Sequence, residues 1–499
     1  MKFKTTAASF RSLFFFAVTM IYAFPVASLR AQDAVPSHFT HHHYKVVDLG
    51  SFGGGNSYGQ GVNLPFFPGT TTLNNSGTVA AWGDTAIHDP FCYVDCLVGY
   101  GLEWADGNAD NLGTLPASST TVGPQQPCVD CIWSSFPLAI SDSGLIVGEA
   151  ENNDTDPLTQ APVSLAVLWR GGKIFNLGTL GGNQSGATGV NDWGVVVGGA
   201  LTTTSENSPF RSPYTDIFFL GNGTTSHAFW SFAGHMQDLG TLGGPDSMAF
   251  FVNDFAQIGG ASDVDFNANP NQVENPGGPT VHPFLWQFGK MRDLMADAPP
   301  NLFGGSYGIV SSLNIRGQVI GVMNMAGDQT WHSFLWQNGK IKDIGTLGGS
   351  FTTAHWLNDS GFIVGRSSVT EVCSETECQQ GGQNQFSHPF IWKDGAMTDL
   401  GLPVGTQCAT AKHINEMGEV VGQSFLGVNS IGLDFCSATA TGAFVWANGS
   451  IADLQSLLPA DTAIALDDAF NINDRGEILA TGFLPNGGGH RVVLLVPCD

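Results

Sequence analysis

Positive charge is scarce in this sequence. It has 18 Lys and Arg against 43 Asp and Glu, and charged residues of both signs make up 12% of the chain, against roughly 25% in an average globular protein. Nucleic acid and anionic lipid are bound through Lys and Arg that neutralise phosphates, so neither is an expected partner. Long apolar runs are equally rare. Only Leu13 to Phe24 forms one, shorter than the roughly 20 residues that span a bilayer. Lys2, Lys4 and Arg11 flank its start and small residues follow, which is the pattern of a secretory signal peptide cleaved between Ala27 and Ala31. No cysteine follows the run to carry a lipid. Residues 1–31 are therefore expected to be signal, 32–43 linker and 44–499 one repeat domain. The mature protein is expected to be secreted or extracellular, with the periplasm as the other compartment, and without a transmembrane segment. Removing the signal leaves 14 Lys and Arg against 43 acids, a formal charge of −29.

Catalytic signatures are also missing. There is no G-x-S-x-G elbow, no H-E-x-x-H, no phosphate-binding loop and no dinucleotide fingerprint, and no cofactor is expected. Acid pairs for glycoside hydrolysis stay open, because two carboxylates need proximity in space rather than in sequence.

Glycine, by contrast, is abundant, with 65 residues alongside 35 Phe and 12 Trp. Low charge, much glycine and many aromatics point to numerous short strands joined by turns. A repeat orders them. Its fullest copy is HSFLWQNGKIKDIGTLGGSFTTAHWLNDSGFIVGR at 332–366. Trp104, Trp169, Trp286, Trp336, Trp392 and Trp446 each precede a Gly by three residues and an Asp or Asn by seven. The last position holds Asn111, Asn176, Asp293, Asp343, Asp399 and Asp453, and a further copy keeps Asp238 with Ser231 in place of Trp. In the second half of each copy an Asn precedes a Gly by three residues, as at Asn358 and Gly361; Ser141 and Ala256 are the exceptions.

Each copy reads as four short strands: the H-x-F-x-W run, a strand ending at Asp-Leu-Gly, and two strands around the Asn-x-x-Gly turn. Four-stranded units repeated about an axis make a β-propeller. The fold class expected is all-β, a closed propeller of about eight four-stranded blades. Residues 44–50 lack a preceding first strand and 490–496 lack a following second strand, so the N- and C-terminal strands are expected to pair and complete the last blade.

The unit resembles the HAF repeat of extracellular bacterial proteins, through His227-Ala228-Phe229 and the DLGTLGG segment at 238–244. The resemblance covers roughly 44–497. It implies secretion and repetition and carries over no catalytic residue.

The repeated side chains read first as structure. The Asp set (Asp238, Asp293, Asp343, Asp399, Asp453) is replaced by Asn in two copies, which suits a side chain bonding turn amides better than a calcium ligand. The Asp of N-D-x-G varies to Asn75, Ile315 and Glu416, and reads as a turn residue. His227, His282, His332, His388 and His490 are taken as one repeated strand position. His38 and His41 to His43 read as an exposed linker, with metal capture as the alternative. Among nine cysteines, Cys92, Cys96, Cys128 and Cys131 form one disulfide group, for which a four-thiolate zinc site is the alternative, and Cys373, Cys378, Cys408 and Cys436 form another. Cys498 is the expected unpaired thiol.

The leading functional expectation is a non-enzymatic secreted scaffold that binds an extracellular polysaccharide or protein through long loops on one face. The alternatives are a polysaccharide hydrolase or lyase on a propeller, and a structural cell-surface or matrix protein.

Overall fold

The computed structural model describes residues 41–59, 70–90, 96–117, 122–157, 160–205, 223–267, 278–299, 302–369, 386–432 and 435–498, with the backbone alone at 427–440. The expected signal peptide and most of the linker lie outside the described residues. Among the described residues no helix is long and apolar enough to cross a membrane.

Each sequence repeat folds as a four-stranded antiparallel meander. Unit 5 shows the pattern: Phe303–Leu313 is the inner strand, followed by Val319–Met325, Trp331–Gln337 and the outer strand Lys340–Asp343. Among the described residues eight such units follow along the chain. Unit 1 contains Val79–His88 and unit 7 contains Val420–Gly432. Unit 8 is made from both ends, since Tyr44–Asp48 pairs with His490–Pro497 from Tyr44↔Pro497 to Asp48↔Val493.

The Phe of H-x-F-x-W fills the middle of units 3 to 7. Phe229, Phe284, Phe334, Phe390 and Phe444 are all fully buried. A glycine on the second strand sits opposite each (Gly321↔Phe334, for example). A Cβ on Gly321 would lie 2.0 Å from the Ile309 carbonyl oxygen and 2.8 Å from the Phe334 ring, so no side chain fits there. The inner strand bulges at the same level, between Val310 and Ser312 here and at the matching place in units 2 to 8. Phe, Gly and bulge thus form one packing element.

The hairpin between third and outer strands is a two-residue turn with both φ values positive, as at Asn338 (+52°) and Gly339 (+77°). That geometry matches the right-handed twist of the flanking strands and favours Asn-Gly. Phe288 adopts it too, at +53°. A meander places this hairpin and the Asn-x-x-Gly turn at one end of every unit, and the long connections at the other.

Neighbouring units are linked by the asparagines. The Nδ2 of Asn253 donates to the Asn314 carbonyl at 2.9 Å, Asn314 to Asn358 at 3.0 Å, Asn358 to Asn415 at 3.0 Å and Asn415 to Asn473 at 3.0 Å. Asn473 then donates to the carbonyl of Asn74 in unit 1 at 3.0 Å, and Asn74 to Ser141 at 3.1 Å. Ser141 has no amide to extend. There the Ser143 N–H donates to Asp192 Oδ1 instead, at 2.8 Å, and Asn191 resumes the series to Asn253.

Candidate active site

The Asn-x-x-Gly turns of all eight units ring one cavity of about 300 Å³. The residue after each Asn stands on its rim. Six of these eight are acids: Asp142, Asp192, Asp254, Asp359, Glu416 and Asp474, with Asn75 and Ile315 at the other two places. Most accept a hydrogen bond from the rim amide of the preceding unit. Examples are Ile315 N–H to Asp359 Oδ1 at 3.0 Å, Asp359 N–H to Glu416 Oε1 at 2.6 Å and Glu416 N–H to Asp474 Oδ1 at 2.8 Å. The sequence reading took this N-D-x-G position for a turn. It is one, but one acid per unit converges on a single ring, and that convergence is visible only once the units are arranged in space.

Asp359 and Glu416 differ from the other four. Half-burial pushes the Asp359 carboxyl up, reinforced by the charges of Glu416 and Asp254 and opposed by the Ile315 amide and Arg316. Glu416 is fixed by three donors: the amides of Asp359 and Ser360 and the Ser360 hydroxyl, at 2.6, 3.0 and 2.7 Å. A carboxyl shifted towards its protonated form beside one held as an acceptor is the kind of pairing that general acid and base chemistry uses. Deeper in the wall, Trp356 stacks on His413 with ring centroids 4.2 Å apart. Burial lowers the His413 pKa to about 3, against a weaker opposing pull from the Ile472 backbone, and so holds the ring neutral.

The expected structural residues lie elsewhere. Trp169, Trp336 and Trp392 are buried, whereas Trp104, Trp286 and Trp446 are only half-buried. Trp336 Nε1 donates to Asp297 at 2.8 Å, and the Arg292 guanidinium sits 5.7 Å over its ring. The repeated Asp bonds the amide two residues on, as in Gly240 N–H to Asp238, Met295 to Asp293, Gly345 to Asp343, Gly401 to Asp399 and Gln455 to Asp453. It has a second partner that sequence reasoning missed. The Nδ1 of His227, His282, His332 and His388 lies 2.8–2.9 Å from Asp238, Asp293, Asp343 and Asp399 respectively, eleven residues on. A partial signal was present in the sequence: where Tyr100 or Leu165 replaces His, the acid is Asn111 or Asn176, although Asp453 persists where Gly442 replaces it. His490 does not belong to the set. Register pairs Val493 with Asp48, as Phe334 pairs with Asp343, which puts Arg491 at the repeated position; His490 bonds Asp467 at 3.1 Å.

Among the cysteines, Cys128 and Cys131 are joined in a disulfide, which removes two thiols from any zinc set. Cys96 and Cys408 are also disulfide-bonded. Cys92, Cys373 and Cys378 lie outside the described residues, as does the side chain of Cys436. Cys498 is a free thiol and exposed.

No family model and no curated protein matches this chain. Solved structures do. A Trypanosoma rangeli sialidase in complex with 2,3-difluorosialic acid aligns at TM-score 0.31 and 8% identity, over 91% of this chain and 59% of its own. The same sialidase with sialic acid aligns at TM-score 0.33 and 10% identity, over the same shares. A Thermus thermophilus chain described as a putative oxidoreductase (glucose dehydrogenase) aligns at 0.25 and 10%, over 91% of this chain and 100% of its own. This chain thus spans 59% of the length of the sialidases it matches, and what it shares with them is the all-β architecture. One expectation is corrected. A non-enzymatic scaffold working through its long loops does not stand, because the cavity that gathers six acids is lined by the Asn-x-x-Gly turns, at the end of the units opposite the long connections.

Proposed function

We propose that this chain is a secreted glycan-cleaving enzyme, a hydrolase or lyase of extracellular polysaccharide, built on a closed propeller of eight HAF-like blades. The unit-to-unit hydrogen bonds that return from Asn473 to Asn74, and the pairing of the two terminal strands, support closure. Disulfides and an acidic surface suit an oxidising extracellular compartment after loss of residues 1–31.

The observation that carries the reading is the acid ring at the cavity rim, in which Asp359 and Glu416 on successive turns are placed in different environments. Asp359, the carboxyl whose pKa is raised, serves as the acid and donates to the leaving glycosidic oxygen. Glu416, oriented by its three donors, acts on water or on the substrate as base. Incubation of residues 32–499 with a panel of extracellular polysaccharides tests this. Reducing ends identify a hydrolase and unsaturated products a lyase. Asp359→Asn and Glu416→Gln should each lower kcat by about 10²–10⁴-fold. Absence of both product types from every polymer, or full activity in both variants, rejects the proposal.

A further inference from the structure

Four aromatic side chains lie exposed at the turn end of units 3 and 4. Trp193 and Phe255 occupy the third positions of two neighbouring Asn-x-x-Gly turns, immediately after rim acids Asp192 and Asp254. Phe232 and Phe288 lie at the adjoining hairpins of the same two units. Trp193 is 72% exposed, Phe255 68% and Phe288 88%. Nothing in folding requires this. Phe288 holds a left-handed φ of +53° at a position where Asn or Gly is relaxed and a bulky side chain is strained. Strain kept at an exposed site points to use rather than to stability. The cations on the Asn-x-x-Gly turns are already engaged, Arg475 with Glu477 at 2.6 Å and Arg316 with the field of Asp359.

We infer that this aromatic platform and the adjoining acids Asp192 and Asp254 select the polymer, and that it is an amine-bearing glycan rather than an acidic one. The inference rests on the glycan-cleaving reading above and names its substrate class. The apolar faces of pyranose rings stack on flat aromatics, which sets affinity without regard to charge. The acids then decide among glycans. A free amino group meets carboxylates on the rim, and a stacked cation gains further from the aromatic faces. A uronate or other acidic sugar meets electrostatic repulsion at the rim, added to that of a mature chain with a formal charge of −29.

Calorimetric titration of the full mature chain at mildly acidic pH tests this with three matched oligosaccharides: free-amine chitosan, its fully N-acetylated form and polygalacturonate. The chitosan oligomer should bind about tenfold more tightly than the neutral one, with the advantage shrinking as salt is raised, and polygalacturonate should bind most weakly. The double variant Asp192→Asn, Asp254→Asn should abolish the preference for the amine, read as the ratio of chitosan affinity to that of its N-acetylated form. Phe288→Asn should relax the turn and raise Tm, yet weaken all three. Tighter binding of polygalacturonate, or a Phe288→Asn protein that binds as well as the parent, overturns the inference and leaves the glycan reading in place. Failure of all three to bind, alongside activity on no polysaccharide, removes both.

Discussion

The repeated asparagine carries more than a turn. Its Oδ1 accepts two amides within its own turn, as Asn314 does from Arg316 and Gln318 at 3.1 and 3.0 Å, and its Nδ2 donates to the next unit. Only a side chain with a donor and an acceptor at that reach serves both purposes, so Asp, though equally good at capping the turn, is not equivalent. Asn358→Asp should keep the turn and lose the bond to the Asn415 carbonyl, leaving that buried acceptor beside a new charge. A loss of about 1–3 kcal/mol is expected in urea unfolding. Unchanged stability would mean that the inter-unit bond contributes nothing. The turn itself was legible in the N-x-x-G spacing. Its second role was not, because the partner lies 57 residues away and nothing local marks it. The His–Asp contact was legible in part, from His and Asp giving way together in two copies, though not in the copy with Gly442 and Asp453. Placing His490 in that set failed for a simple reason: a one-residue offset on a strand looks the same in sequence, and only the register Asp48↔Val493 resolves it.

At the scale of the strand, alternation and spacing were enough to recover the units, their order and the pairing of the two chain ends. They were not enough to reveal why the second strand of units 2 to 7 carries a glycine. That residue answers to a carbonyl at the bulge of the inner strand and to the buried Phe of the third strand, a three-way contact across the sheet. Unit 8 has Ala480 at this place, opposite Val493 rather than Phe, so the smaller partner admits the methyl group. The terminal strand is the most exposed to test. His490–Pro497 pairs on one side with Ile478–Phe483 and on the other with Tyr44–Asp48, and Val492 to Leu495 are buried. Deleting residues 488–499 removes that middle strand and opens two edges at once. Gross destabilisation is expected in thermal unfolding, with aggregation through the freed edges. A deletion variant that melts within about a degree or two of the full chain would show that the ends are not held together in this way.

Across the whole molecule, the shifted acids include two groups with opposite pH behaviour. The buried neutral rings of His355 and His413, their pKa lowered by burial to about 3, act with the second, since their contribution is lost as pH falls below 6.5. Burial pushes Glu149 up to about 8 and Glu151 to about 7 from an ordinary 4.5, each eased by a hydrogen bond, and pushes Asp246 to about 6 from 3.8. Between the ordinary and raised values the folded chain holds protons that the unfolded chain has released, so stability falls as pH rises through that window. The His-bonded acids run the other way. Burial pulls Asp343, Asp238 and Asp399 upward, but the hydrogen bonds from His and turn amide and the His charge outweigh it, and each rests below 3.8. Their contribution is present above that value and lost as pH drops below it. Stability should therefore peak near pH 5, decline gradually toward pH 8 and collapse below about pH 4. Glu149→Gln separates the two limbs. Its amide keeps a partner in the Ser164 hydroxyl, which lies 3.0 Å from Glu149 Oε2, and it no longer titrates. The variant should flatten the alkaline decline in Tm and leave the acid limb where it was. An alkaline limb unmoved in the variant would place Glu149 in water rather than in the buried position it holds.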